Sequence, residues 1–232
     1  MRRIYASLLP VAALVSLACT SKAQNESSRE VAGGGVSVKG WTGQVDPGEA
    51  KRGQALKNAK LANDGSSLHV TTGPAVAYWN PSNTASGDYT VKATFTEPKY
   101  MNLNDHPHPY GIFIGGNDMG TANQSYLYCA TYGTGNFIVR GFGPAPFQMN
   151  GRGEANAAVH KAAAQGSPVT QDIAVSVKGD KVQCSVNGAV VGTYNKSDVV
   201  GAGKLKSTDG VFGIRFSHNT EGLVSGLTAT KP

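Results

Sequence analysis

Between residues 170 and 194 apolar and polar positions alternate with a period of two, interrupted twice by tight-turn pairs. Ile173, Val175 and Val177 alternate with Ala174, Ser176 and Lys178, and Gly179-Asp180 follows. Val182, Cys184 and Val186 alternate with Lys181, Gln183 and Ser185, and Asn187-Gly188 leads into Ala189, Val190 and Val191. A period of two places one set of side chains on a buried face. Gly-Asp and Asn-Gly supply the positive-φ residues that two-residue hairpin turns require. The stretch therefore predicts three antiparallel strands in a meander. Residues 88–97 repeat the pattern, with Tyr89, Val91, Ala93 and Phe95 set against Thr90, Lys92, Thr94 and Thr96. Weaker strand signals cover 36–41, 68–71, 75–79, 110–114, 125–132, 137–140, 211–218 and 223–230. No window sustains a helical period. The alanine-rich segment 155–164 lies among glycines and reads as loop or a single turn, within a longer excursion spanning 141–167.

Many short antiparallel strands, 30 glycines and no alternation of strand with helix predict an all-β chain, a two-sheet antiparallel β-sandwich. No repeat of 20 to 50 residues is present, which argues against a solenoid or propeller. Residues 1–23 carry Arg2 and Arg3 ahead of an apolar run too short to span a bilayer, the pattern of a signal peptide. Two cleavage points compete. Ser21-Lys22-Ala23 suits ordinary cleavage before Gln24, whereas Leu17-Ala18-Cys19 is similar to a lipoprotein signal in which Cys19 receives lipid. The chain is accordingly expected to be exported, as an outer-membrane lipoprotein or a periplasmic or extracellular protein. Residues 24–35, with three consecutive glycines, read as a flexible tether, and residues 36–232 as one sandwich domain. The only membrane association expected is the lipid at Cys19.

Three of the 21 Lys and Arg lie in the leader against 15 acids in the whole chain, so the processed domain carries an excess of +3. That modest excess speaks against a nucleic-acid partner, which calls for a concentrated basic face. Cys129 and Cys184 each alternate in register with core-type neighbours, which suits either a disulfide or two buried thiols. Pairing depends on a Cα separation that the sequence does not contain.

Four motifs follow in order: Gly87-Asp88-Tyr89-Thr90-Val91, the strand through Ile173 and Val177, Cys184-Ser185-Val186-Asn187-Gly188, and Gly210-Val211-Phe212-Gly213-Ile214-Arg215. Their order resembles the concanavalin-like jelly roll of laminin-G-like domains, many lectins and some glycoside hydrolases. The resemblance spans roughly residues 36–230 and rests on structural motifs. It implies a carbohydrate partner, an oligo- or polysaccharide held on a concave sheet or on its rim loops. Hydrolases of this fold use a Glu-x-Asp-x-x-Glu strand, and two carboxylates are what glycoside hydrolysis requires. This chain has no such strand. It is similar, more loosely, to jelly-roll domains assigned to hydrolysis of 3-keto-disaccharides, but their acidic segment finds no match. The expectation is a non-catalytic carbohydrate-binding module. Alternatives are a glycoside hydrolase drawing on Asp105, Asp118 and Glu154, and a structural or protein-contact module of the envelope.

Tyr126, Tyr128 and Tyr132 share the face opposite Leu127 and Cys129, where Arg140 can join them from the next strand; together they form either a candidate saccharide platform or a second packed layer under the 141–167 excursion. Trp79 alternates against Val76 and Tyr78, so one of Trp79 and Tyr78 is expected to leave the sandwich core, and Trp79 is added to the ligand-binding set. His106 and His108, each followed by proline, are expected to extend and point the same way, and are candidates for a glycan-contacting rim. With Asp105 beside them an N/O metal site is conceivable, but it needs further ligands that the sequence does not name. The plainest reading of that loop is a rigid surface turn. Asp118, in the polar loop 115–125, is a candidate Ca²⁺ ligand, although one acid is thin support. No other cofactor is expected. His218 continues the face of Phe212, Ile214 and Phe216 and reads as a rim histidine. Arg215 and Asn219 fall on the opposite face, toward any ligand.

Overall fold

The computed structural model describes residues 27–232; the expected leader and Cys19 lie outside the described residues. The chain runs through β1 (Gly35–Val36), β2 (Thr42–Val45), the helical turn α1 (Pro47–Ala50), β3 (Ala59–Asp64), β4 (Ser67–Thr72), β5 (Val76–Ala85), β6 (Tyr89–Glu97) and β7 (Tyr110–Asn117). It continues with β8 (Ser125–Tyr132), β9 (Asn136–Phe142), β10 (Pro146–Gln148), β11 (Glu154–Ala155), β12 (Val169–Lys178), β13 (Lys181–Val186) and β14 (Ala189–Asn195). The helical turn α2 (Lys196–Val199), β15 (Gly210–Phe216) and β16 (Glu221–Thr230) close it. Strands hold 53% of the chain and helix 5%, which makes this an all-β protein.

The strands form two sheets. The first has the order β1-β3-β4-β16-β6-β12-β13-β14, and the second β10-β9-β8-β7-β15-β5-β2 with β11 also on β9. Apart from the parallel β1–β3 contact, neighbours are antiparallel. The expected meander is β12-β13-β14. Its second turn places Asn187 at φ 49° and Gly188 at φ 83°, backbone that most other residues resist.

Side-chain alternation makes the sheets unlike each other. In β6 and β12 every second residue is buried, and the remainder (Thr90, Thr94, Ser176) face outward. Between the sheets lie Val91, Phe95, Ile112, Leu127, Val175, Ile214 and Phe216, all close to fully buried. By contrast β7 and β8 are buried at nearly every position, on both faces. A second, smaller apolar cluster accounts for this. Ala77, Trp79, Phe113, Tyr126, Tyr128, Ala130 and Ile138 pack together on the outer face of the second sheet. Gly213 makes room for it, since a Cβ there would sit 2.6 Å from the Phe113 ring.

Cys129 of β8 and Cys184 of β13 form a disulfide with Cα atoms 5.9 Å apart, a bridge from one sheet to the other. The strand β3 carries no expectation from the sequence. The first expected strand, over 36–41, is displaced, and pairing onto β5 begins at Thr42. The segment 141–167 folds back on the sandwich, because β10 and β11 both pair with β9 and Val159 enters the core. The described part of the expected tether is also docked. The Arg29 N–H donates to Asn219 Oδ1 at 2.8 Å, and Ser28 Oγ donates to Glu49 at 2.9 Å.

Candidate functional site

The outer face of the second sheet carries three adjoining cavities of about 290, 240 and 260 Å³. The first two share Tyr128, Arg140 and Arg215; the second and third share Pro107 and Tyr132. Together they make a trough across β15, β8 and β9. Register explains the floor: Tyr128 on β8 lies directly opposite Arg140 on β9, and both point outward because Cys129 and Val139 point in.

Arg215 is the charged centre of the trough. Period-two alternation along β15 sends Phe212, Ile214 and Phe216 into the core and Arg215 out of it. Its Nη2 donates to Asp46 Oδ2 at 2.5 Å and its Nη1 to Phe216 O at 3.1 Å. The guanidinium carbon lies 4.8 Å above the Tyr128 ring and 5.5 Å from that of Phe142. Burial opposes this charge, but the Asp46 carboxylate and the tyrosines outweigh it and raise the Arg215 pKa. Burial pushes Asp46 upward in turn; Arg215 opposes that shift and Glu49 adds to it. Polar atoms of residues lining the trough are buried without a partner among the described residues: Asp46 Oδ1, Arg140 Nε and Arg215 Nε.

The tyrosine platform needs correcting in detail. Tyr126 is wholly buried, 5.0 Å from the rings of both Phe113 and Phe142, and cannot meet a ligand. Burial drives its phenol pKa well above the usual value. Tyr128 is only 5% exposed beneath Arg215, so it offers an edge and no open face. Tyr132, half-buried at the end of β8, is the more open ring and also lines two of the cavities. Trp79 does leave the sandwich core, but it is buried under the loop after β7, with Gly120 beside its ring and Met119 against the cluster. It lines none of the three cavities.

His106 and His108 lie side by side on the trough wall, with ring centroids 4.3 Å apart. A third ring joins them, because His218 stands 3.9 Å from His108 and 6.1 Å from His106. One ring nitrogen from each of the three falls within 4.8 Å of the others. Extrapolating the alternation of β15 misplaces His218. The strand ends at Phe216, and Asn219 at φ 48° turns the backbone. That turn is anchored by Ser217 N–H to Pro109 O at 3.0 Å and by Asn104 Nδ2 to Asn219 O at 2.8 Å. Asn219 itself is buried, so it faces the fold and not a ligand. Burial lowers the His108 pKa to about 3, with His218 adding to the effect, so its imidazole is neutral at pH 7.

Acids show less convergence. Asp105 approaches His106 Nδ1 at 2.5 Å. Asp118 is ion-paired with Lys206 and follows the far end of β7, roughly 25 Å of strand from the histidines. Glu154 is exposed on β11, and neither Asp118 nor Glu154 lines the trough. The acids that do line it are Asp46 and Glu49, both already engaged, with Arg215 and with Arg52 and Ser28. Sequence reading missed Asp46 because its partner lies 169 residues away.

The two sheets and their connections are those of a jelly-roll sandwich. Solved structures agree with that fold. The carbohydrate-binding module CBM66 from Bacillus subtilis superposes with a TM-score of 0.56 at 10% identity, over 84% of this chain and 98% of its own. A Bacillus subtilis protein of unknown function with a galectin-like fold gives 0.53 at 13% identity, over 84% and 92%. Such low identities define the fold alone. No family model matches the sequence. No curated protein matches it either.

Proposed function

We propose that this chain is a non-catalytic carbohydrate-binding module that seats a saccharide in the trough over Arg140, Arg215 and Tyr132. The observation carrying this reading is the row of three cavities whose shared walls combine two guanidinium groups, the half-buried Tyr132 ring and buried polar atoms without partners among the described residues. Buried polar groups normally find partners. Sugar hydroxyls have the donor and acceptor density to supply them, and the C–H face of a pyranose or furanose can lie on Tyr132. The likeness in fold to a carbohydrate-binding module supports the same reading. The acids lining the trough are tied into ion pairs and hydrogen bonds, which favours binding over hydrolysis. The intersheet disulfide supports an exported location, since such bonds persist in oxidising compartments.

The test is affinity electrophoresis of the purified protein through gels holding a panel of polysaccharides. One glycan class should retard the protein, and both Tyr132→Ala and Arg140→Ala should reduce retardation at least tenfold with thermal unfolding unchanged. Retention unaltered by either substitution would place binding elsewhere. Cleavage of a retained glycan would replace the binding-module reading with a hydrolase.

A further inference from the structure

We propose that His106, His108 and His218 form a binding site for one divalent transition-metal ion of the zinc type, with an open coordination position facing the trough. His106 Nδ1 lies 2.5 Å from Asp105 Oδ1, and His108 Nδ1 lies 2.5 Å from the carbonyl oxygen of His218. Both partners are acceptors only, so each Nδ1 carries the proton and donates it. Neutral imidazole has one N–H, so each Nε2 then brings a lone pair.

Those two Nε2 atoms lie 2.8 Å apart. Tetrahedral zinc with Zn–N bonds of 2.0–2.1 Å needs about 3.3 Å between ligand nitrogens, so an opening of roughly half an ångström admits the ion. His218 brings a third imidazole nitrogen within 4.8 Å. Three histidines with a fourth position left to water or a ligand oxygen is a known way of holding zinc. The Asp105–His106 and carbonyl–His108 contacts are the outer hydrogen bonds that orient metal-binding imidazoles.

Local architecture holds the set together. Pro107 and Pro109 restrict the backbone of the residues before them, and His106 and His108 project to one side, with ring centroids 4.3 Å apart. The turn after β15 is bonded to that segment at Pro109 and Asn104 and carries His218 to the same point. All three line the central cavity, shared with Tyr132 and Arg140. An ion there would stand beside a seated ligand, within reach of one of its oxygens.

The test is independent of saccharide. Purified protein freed of metal is titrated with Zn²⁺ by calorimetry, and separately with Co²⁺, whose visible absorption reports tetrahedral coordination. One ion per chain is expected, with no competition from Ca²⁺ or Mg²⁺. His106→Ala and His218→Ala should each weaken Zn²⁺ affinity at least 100-fold. Asp105→Asn, a surface change with little risk to folding, should weaken it about 10- to 100-fold. His69→Ala, on β4, should leave it unaltered. Absence of saturable Zn²⁺ binding overturns the proposal and leaves a proton shared between two imidazoles. Affinity unchanged in Asp105→Asn together with either histidine variant overturns it as well.

Discussion

Arg215 keeps its charge in an almost solvent-free place because Asp46 stands 2.5 Å away and the Tyr128 and Phe142 rings lie beneath it. Removing one member of such a pair leaves the other buried and uncompensated. Arg215→Met should therefore lower stability by about 3–5 kcal/mol in urea unfolding, and adding Asp46→Asn should restore part of the loss. Glu97 is a second buried group with a consequence. It accepts the Met101 N–H at 3.0 Å, while its other oxygen has no partner among the described residues. Burial raises its pKa from 4.5 to about 7, and the Met101 hydrogen bond only partly opposes this. The folded state thus binds the proton more tightly than the unfolded chain. Stability from this group is complete below pH 4.5 and is lost as pH rises through about 7, a change on the order of 3 kcal/mol. Unfolding free energies measured from pH 4 to 8 should show that fall, and Glu97→Gln should flatten it.

At the scale of elements, the turn between β13 and β14 does more than reverse the chain. Asn187 adopts φ 49°, and its Nδ2 donates to Ala158 O at 2.7 Å and to Gln171 Oε1 at 2.8 Å. Its Oδ1 accepts the Asp172 N–H at 2.8 Å. One side chain so ties the meander to the folded-back segment that delivers Val159 to the core. Asn187→Ala loses these bonds and the tolerance of positive φ, and should cost about 2 kcal/mol or more by urea unfolding. Asn187→Gly, which keeps the tolerance of positive φ, should cost less.

Across the whole molecule, the Cys129–Cys184 bridge joins the sheets over a separation of 55 residues. Closing a loop of that length reduces the entropy of the unfolded chain by about 4 kcal/mol at 25 °C in the loop-closure model. The Cys129→Ala/Cys184→Ala double variant should unfold about 2–4 kcal/mol more easily. The trough should survive in that variant, because its walls all belong to the second sheet and the loops beside it. Zinc and saccharide titrations of the variant would check this. The division of labour is plain in the two outer faces: threonines and serines meet solvent on one sheet, while the other carries a second apolar cluster under the trough.

The fold class, the meander with its turns, and the way His106 and His108 project together were all legible in the order of residues. All three follow from short-range rules: period-two alternation, positive-φ turn pairs and the restriction that proline places on its predecessor. That order also put the three tyrosines of β8 on one face, but not their unequal exposure, which depends on Phe142 and Arg215 arriving from other strands. That Cys129 meets Cys184, that Asp46 neutralises Arg215, and that His218 leaves the line of its strand to join two histidines 110 and 112 residues before it emerged with the three-dimensional fold. Each of these is a contact between segments far apart in the chain, set by sheet order or a single turn, and no local pattern encodes such a separation.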